Sequence, residues 1–174
     1  MATLPREVID AYTERLNALS DASRRVVAAQ LAQIEYEGIA DLREKVTAIL
    51  EPVCAASSDA AAAYAAEFYD EVREAQAGAA LGAEAVSAHS AEATAAAVRA
   101  MVQAVVDGKP WEHFARQVED RADYEVKRSA GECVKANAAR DPLRPKWARV
   151  PSGTETCDFC LMLASRGFAY SSER

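Results

Sequence analysis

The sequence predicts a mainly α-helical protein, with a multi-helix N-terminal body over residues 1–139 and a small α+β unit that begins within residues 140–174. Three observations favour this fold class. Hydrophobic letters make up 51% of the 174 residues, but only 7% are aromatic and many are alanine, which suits closely packed helices. Apolar residues recur at helical spacing through the first part. Pro142, Pro145 and Pro151 then exclude a continuous helix.

The first two helices are predicted from caps and from stripes of apolar residues. A helix should begin at Pro5, because proline is favoured in the first turn. Ser20 and Asp21 are good cap residues, so we expect a second helix to follow them and to end near Gly38. The apolar stripes of these helices are Val8, Tyr12, Leu16 and Leu19, then Val27, Leu31 and Ile34.

The middle of the chain is predicted to hold further helices. The helical period resumes after the second helix, and Pro52 should kink or end it shortly after Leu50. The cluster Ser57–Asp59 is typical of a cap and predicts the start of a further helix. Gly78 and Gly82 should weaken the helical pattern where they occur.

Two more helices are predicted before the prolines. The apolar pattern returns over residues 84–106 and is closed by Gly108. Pro110 should start another helix, which either runs to about Ala139 or breaks near Asp120. We interpret the apolar stripes of all these helices as core packing.

The last part of the chain changes to short elements. Residues 146–150, KWARV, lie between prolines and alternate in polarity, which predicts a β-strand or extended segment. Residues 157–166, CDFCLMLASR, are typical of a short helix, Gly167 of a helix end, and residues 168–170 of a second strand. We expect this unit to be truncated, because the chain ends at Arg174.

Composition and charge restrict the class of protein. The formal net charge of −7 disfavours broad nucleic-acid binding by the whole chain. The N-terminal sequence has no apolar run of the kind found in signal peptides, and no stretch approaches the roughly 18 apolar residues of a membrane helix. The four cysteines are therefore expected to be free thiols or metal ligands. We expect a soluble protein with no membrane partner, made in a reducing cytoplasm.

Cys157 and Cys160 are the first candidate site. Two cysteines at this spacing can direct both sulfurs at one tetrahedral Zn²⁺, but two more ligands are needed, so the pair is half of a metal site. A redox pair is a second interpretation, although Asp158 between the cysteines would oppose thiolate formation. Two small buried thiols in a hydrophobic turn are the third. The other soft ligands lie on predicted helices: Cys54, His89, His113 and Cys133.

A basic stretch over residues 127–149 is the second candidate site. It holds seven bases against two acids and includes Trp147. Arg144, Lys146 and Arg149 could contact the phosphates of a nucleic acid, and an aromatic ring could stack on a base. The alternative is an exposed linker around the three prolines.

Sequence signatures of catalysis are missing. The two histidines have no partner at the spacing of a hydrolytic triad, and no nucleophile elbow or metalloprotease motif occurs. Neither a P-loop nor a dinucleotide-binding glycine pattern is present. The carboxylates lie along helix faces beside bases, as is usual for solvated surfaces. We therefore expect a protein that is not an enzyme.

The segment KWARVPSGTETCDFCLMLASRGFAY resembles the C-terminal motif of phage minor head proteins related to the Mu F head-morphogenesis protein, in the form found in actinobacterial phages and prophages. The resemblance covers about a sixth of the chain and is dense and ordered. An aromatic residue and Arg-Val-Pro lead into a glycine turn, a Cys-x-x-Cys, and then Leu-Ala-Ser-Arg-Gly. The matching residues are Trp147, Arg149, Val150, Pro151, Gly153, Cys157, Phe159, Cys160, Leu163, Ala164, Ser165, Arg166, Gly167 and Tyr170.

This resemblance implies a structural component of the phage head, present in few copies near the portal. Its implied partners are the portal protein, the major capsid or scaffold protein, and packaged DNA. It implies no established enzymatic reaction. In relatives, a histidine and further cysteines follow the Cys-x-x-Cys, which implies a zinc site in the full-length protein. Two alternatives remain: a zinc- or thiol-dependent enzyme that uses Cys157 and Cys160, and a DNA-binding accessory protein that uses residues 127–149.

Overall fold

The computed structural model describes residues 6–146, and this part of the chain contains four α-helices and no strand. The prediction of a mainly helical body is therefore confirmed. The helices are α1 Arg6–Leu31, α2 Ile39–Ala77, α3 Ala91–Val106 and α4 Trp111–Arg140. Of the predicted α+β unit, residues 147–174 lie outside the described residues, and with them all of the second predicted strand and all but Lys146 of the first. Among the helices of residues 6–146, none has the length and apolar content that crossing a bilayer would require.

The helices form a bundle in which α2 and α4 are the central pair. These two helices have the most extensive mutual contact, α1 packs against both, and α3 also packs against both. Helices α1 and α3 do not touch each other. The long helices α2 and α4 therefore determine the position of everything else in the body.

The core is divided into a part with large side chains and a part with small ones. Where α3 joins the bundle, the core is filled by branched and aromatic residues around Phe114. Further along α2 and α4, the residues in contact are mostly alanine. Such small side chains let two helix backbones come close together. The small-residue part consists of Ala61, Ala62, Ala65, Ala66, Val126, Ala130 and Cys133, with Tyr12, Leu16 and Leu19 of α1 packed against it.

The predicted helix boundary at Ser20 and Asp21 is wrong, because α1 continues through both residues. Ser20 is buried, and its hydroxyl donates a hydrogen bond to the Asp123 carboxylate on α4. Ser23 is also buried, and its hydroxyl donates to the Leu19 carbonyl at 2.9 Å. These hydroxyls contact a neighbouring helix or their own helix instead of capping a new one.

Helix α1 ends at Leu31, well before the predicted end near Gly38. Gly38 instead precedes α2 as its N-cap residue. The Asp41 carboxylate in the first turn of α2 accepts the backbone N–H of Glu37 at 2.9 Å. The connection is therefore bonded to α1 at its start, through the N–H groups of residues 32–34, and to α2 at its end.

The predicted end of a helix near Pro52 is also wrong, because α2 runs from Ile39 to Ala77. Pro52 lies on the exposed side of α2, so the Ala48 carbonyl, which loses its usual helical partner, can bond to water. Leu50 and Cys54 on either side of the proline are completely buried. Burial of these neighbours offsets the cost of proline inside a helix.

The predicted cap at Ser57–Asp59 lies in the interior of α2 and starts no helix. The Ser57 hydroxyl donates to the Cys54 carbonyl at 3.3 Å. The Ser58 carbonyl accepts a hydrogen bond from the Ser129 hydroxyl at 2.9 Å. The serines are small enough for α4 to approach, and they serve packing between helices.

The predicted weakening of the helix by Gly78 and Gly82 is confirmed, because α2 stops at Ala77. Gly78 has the left-handed φ of 79°, and its N–H donates to the Glu74 carbonyl at 2.8 Å. Gly82 has a φ of 74°. Glycine adopts this backbone conformation without the steric cost that a β-carbon would add.

The helix predicted over residues 84–106 begins later than expected, at Ala91. Ser90 caps it by accepting the Ala93 N–H on its hydroxyl at 3.2 Å. Residues 84–89 carry no helix. Their backbone bonds to side chains of α4, and these bonds replace helical ones.

The helix predicted to begin after Pro110 is confirmed as one continuous element. Pro110 is the N-cap residue of α4, and no break occurs near Asp120. Of the two alternatives, the long helix to about Ala139 is correct, since α4 ends at Arg140.

We predict that Pro52→Ala raises the free energy of unfolding by about 1–3 kcal/mol, because alanine restores the hydrogen bond to Ala48 and removes the ring. Urea denaturation measures this change. The control is Ala48→Gly in the same exposed turn, which should lower the free energy of unfolding by about 0.5–1 kcal/mol. A Pro52→Ala protein no more stable than the parent would contradict the account given for α2.

Candidate functional site

The structure describes only part of the sites predicted from the sequence. Cys157, Cys160 and Arg149 lie outside the described residues. Arg144 and Lys146 are described and follow the end of α4 directly. The end of α4 is therefore the point from which the motif-bearing segment leaves the bundle.

Asp141 is the centre of this junction. Its side chain is only 1% exposed. One carboxylate oxygen accepts hydrogen bonds from the Tyr69 hydroxyl at 3.0 Å and from Arg73 Nε at 2.8 Å. The other accepts the Leu143 N–H at 2.9 Å. The residue after α4 is thus bonded to α2 and to the outgoing chain, which fixes the position where the chain leaves the bundle.

The pKa of Asp141 reflects these contacts. Burial acts to raise the pKa, but hydrogen bonds from Arg73, from the Leu143 N–H and from Tyr69 outweigh it, and the pKa lies below the ordinary 3.8. Burial, followed by the hydrogen bond to Asp141, raises the pKa of the Tyr69 phenol. Asp141 is therefore charged and Tyr69 neutral at pH 7, as the donor and acceptor roles require.

The chain turns sharply beyond Asp141. The Arg144 N–H donates to the Asp141 carbonyl at 3.0 Å, which closes a turn. Arg144 has a φ of 48°, in the left-handed region that residues other than glycine seldom adopt. The cost of such a conformation is on the order of 1–3 kcal/mol and requires surrounding contacts to maintain it. The bonds at Asp141 are contacts of that kind.

A second feature of this end of the bundle is a non-helical segment that we call the strap, residues 79–90. It begins after α2 and crosses the surface of α4. The Asp70 carboxylate on α2 accepts the N–H groups of Leu81, Gly82 and Ala83 at 2.8, 3.0 and 2.8 Å. One carboxylate thus satisfies three successive backbone donors at the start of the strap.

Three side chains of α4 then hold the strap in order. The Glu84 N–H donates to Asn137 Oδ1 at 2.9 Å, and the Asn137 amide donates back to the Glu84 carbonyl at 2.9 Å. The Val86 N–H donates to the Cys133 sulfur at 3.5 Å. Two residues further along the strap, the N–H of Ala88 donates to the Ser129 hydroxyl at 3.1 Å. We call these bonds the ladder.

The repeat of this ladder follows from backbone geometry. The helical residues are four apart, which is about 6.0 Å along an α-helix. The strap residues are two apart, which is about 6.6 Å along an extended chain. Because the two distances nearly agree, a row of side chains on α4 can serve as the edge of a sheet for the strap.

Two arginines of α4 also bond to the backbone of the strap. Arg128 donates to the Ala88 carbonyl, and Arg140 donates to the Gly82 carbonyl at 2.6 Å. Arg140 also forms an ion pair with Glu84 at 2.6 Å. Both arginines belong to the predicted basic stretch, so part of its charge holds the body together.

Two lysines of the basic stretch are also paired within the body. Lys127 lies 2.8 Å from the Asp123 carboxylate, and Lys135 lies 3.3 Å from Glu132. The stretch predicted from composition is thus divided by the structure. Its first part is an ion-paired helix face, and its last part is the segment that follows α4.

Glu125 is a buried charge that the sequence analysis did not identify. Its side chain is 0% exposed and forms ion pairs with Arg121 and Arg128. The spacing of these arginines, one turn before and one turn after Glu125, is the sequence signal that could have revealed the group. Removing either arginine would leave the buried carboxylate with one partner in place of two, which is destabilising.

The other cysteines and histidines are held within the body or at its surface. Burial and then the charge of Glu125 raise the pKa of the Cys54 thiol to about 12. Cys133 is buried beneath the strap, and its thiol donates to the Ala62 carbonyl at 3.2 Å. His89 lies 3.2 Å from Glu51, and His113 is exposed. Within residues 6–146, no group of three or more possible ligands is arranged to hold a metal ion.

These features define a helical protein in which a bundle carries a fixed exit point for its C-terminal segment. The chain belongs to the VG15 protein family, a family of phage proteins, whose model matches residues 3–174. No curated protein and no solved structure gives a significant match.

We predict that Asp141→Asn makes stability less dependent on pH. A carboxylate with a lowered pKa stabilises the fold above its unfolded pKa of about 3.9, and this contribution is lost as pH falls through the folded pKa. The variant should be less stable than the parent at pH 7, and the difference should shrink below pH 3.8. Thermal denaturation between pH 7 and pH 2.5 measures it. Asp59→Asn, an exposed change, should differ little from the parent at any pH.

We predict that Asn137→Ala lowers the free energy of unfolding by about 1–3 kcal/mol, because Asn137 is buried and forms both bonds to Glu84. Chemical denaturation gives the value. Lys135→Ala, a control on the exposed side of α4, should change it by less than about 0.5 kcal/mol. Equal effects of the two substitutions would mean that the strap is not held by Asn137.

Proposed function

We propose that this chain is a minor head structural protein of a phage, related to the Mu F-like head-morphogenesis proteins of actinobacterial phages and prophages, and that it has no catalytic activity. Membership of a family of phage proteins supports the general class. The resemblance of residues 147–170 to the minor head motif supports the narrower assignment. The proposed location is the phage head, after synthesis in the host cytoplasm.

The observation that carries this proposal is the junction at Asp141. A segment with the motif follows a bundle whose last residue is bonded to α2 through Tyr69 and Arg73. A fixed exit point suits a protein that presents a segment to a neighbour, since ordering the segment beforehand lowers the entropy lost on binding. We propose the portal protein, the major capsid protein or the scaffold protein as that neighbour.

The polar groups of the body also favour a structural role. Asp70, Ser129 and Asn137 are directed at the chain's own strap and are already bonded there. A catalytic site would instead need groups that converge on a position open to substrate. The pKa of Cys54 is raised, which leaves that thiol protonated and a poor nucleophile.

We propose that residues 140–174 begin a small α+β unit in which Cys157 and Cys160 supply two ligands to a structural zinc ion. The two cysteines described in the body do not suit the remaining places. Cys54 is completely buried in the core, and Cys133 is enclosed between α2 and the strap. The two remaining ligands of a tetrahedral site would then come from residues other than these two cysteines.

Packaged DNA is a second proposed contact. It would use Arg144, Lys146 and Arg149, which follow the ion-paired face of α4 along the chain. The net charge of −7 makes binding through the rest of the surface unfavourable. Such a contact would be local and would weaken with salt.

We predict that purified particles of the phage that encodes this chain contain it in few copies, far below the major capsid protein. A component of one vertex cannot match the copy number of the shell, and quantitative mass spectrometry of particles measures the ratio.

Cryo-electron microscopy without imposed symmetry should place the density of this chain at the portal vertex. A gene deletion should reduce the yield of filled heads.

Other outcomes would contradict this assignment or support an alternative function. Absence of the chain from particles would rule out the minor head assignment. Thiol–disulfide turnover by the purified chain that is lost on Cys157→Ser would support the enzyme alternative. Presence in particles at the copy number of the major capsid protein would also contradict the proposal.

A further inference from the structure

The strap has one edge bonded to α4 and one edge directed away from it. Residues 84, 86 and 88 direct their backbone N–H groups at α4. In an extended chain the alternate residues point the opposite way, so Ala85 and Ser87 direct theirs outward. Both residues are exposed. Within residues 6–146, neither of these two N–H groups has a hydrogen-bond partner.

An outward edge of this kind is a site for strand addition. An extended segment with unpaired backbone groups can pair with a second extended segment, and main-chain hydrogen bonds then supply the affinity. The side chains near the edge, Ala85, Val86 and Ser87, are small or medium in size and let another backbone approach. Val86 is 41% exposed, so a paired segment would also cover an apolar side chain.

The chain leaves the bundle beside this edge. Arg73 bonds both Asp141 and the Ala80 carbonyl, at 2.8 and 3.3 Å. Arg140, the last residue of α4, reaches Gly82 and Glu84 of the strap. Residues 141–144 form the turn closed by the bond from the Arg144 N–H to the Asp141 carbonyl, and two further steps of extended chain, about 7 Å, lead from residue 144 to residue 146.

We propose that residues 146–150 of this chain, the segment predicted to be a strand, pair with the outward edge of the strap. Pro145 and Pro151 bound the segment, so it offers five residues with backbone N–H groups, and the ordered ladder of the strap covers residues 84–88. The pairing would mount the start of the C-terminal unit on the body. It does not depend on the assignment to a phage head.

A segment of the same chain is a better occupant than a second copy. Five paired residues bury much less than the roughly 1,200 Å² typical of stable interfaces between proteins. A tethered segment has an effective concentration in the millimolar range, so a small contact is sufficient for it. The strap edge is therefore suited to an intramolecular strand.

Hydrogen exchange of the full chain tests this pairing. The amides of Ala85 and Ser87 should exchange at least about tenfold more slowly than unstructured amides, as expected for locally bonded groups. Ala148→Pro and Arg149→Pro then remove N–H groups that point to opposite sides of the segment. One of the two variants should abolish the protection of Ala85 and Ser87, and the other should retain it.

The internal control is the inner edge of the strap. The amides of residues 84, 86 and 88 are bonded to α4 and should stay protected in both variants, which shows that the body remains folded. Rapid exchange at Ala85 and Ser87 in the parent would overturn the proposal. Protection that survives both substitutions, or that increases with protein concentration, would assign the edge to another occupant and overturn it as well.

Discussion

The close approach of α2 and α4 is the constraint on which the other contacts of the body depend. Alanine and serine on the facing surfaces allow side chains of α4 to reach the backbone of α2. The Ser129 hydroxyl donates to the Ser58 carbonyl at 2.9 Å, and the Cys133 thiol donates to the Ala62 carbonyl at 3.2 Å. Larger residues at these positions would separate the helices and break these bonds.

The same two side chains of α4 also hold the strap. Ser129 and Cys133 accept N–H groups of the strap while they donate to α2, so each side chain connects three segments of the chain. The strap in turn brings Gly82 and Glu84 beside Arg140 and the end of α4. The exit point at Asp141 is therefore an indirect result of small-residue packing between two helices.

Part of the candidate site could be predicted from the sequence, and part could not. The motif of residues 147–170 and the basic residues after α4 are recognised by their order alone. Residues 84–90 of the strap were predicted to be helix, because their alanines favour helix locally and nothing in the sequence shows that Asn137 will bond the Glu84 backbone. Glu125 was overlooked because a carboxylate between two arginines has the same pattern on an exposed face as in a core.

The sequence by itself determined the helical class, the start of a helix at Pro110, and the weakening of the helix at Gly78, because these follow from local propensity and backbone freedom. Only the tertiary structure decided that Ser20, Pro52 and the serines after it lie inside long helices. At each of these positions a local signal for a boundary competes with bonds or burial supplied by another helix. Those contacts form only once the bundle is assembled. The sequence alone therefore cannot show whether the local boundary signal or the contact with another helix is stronger.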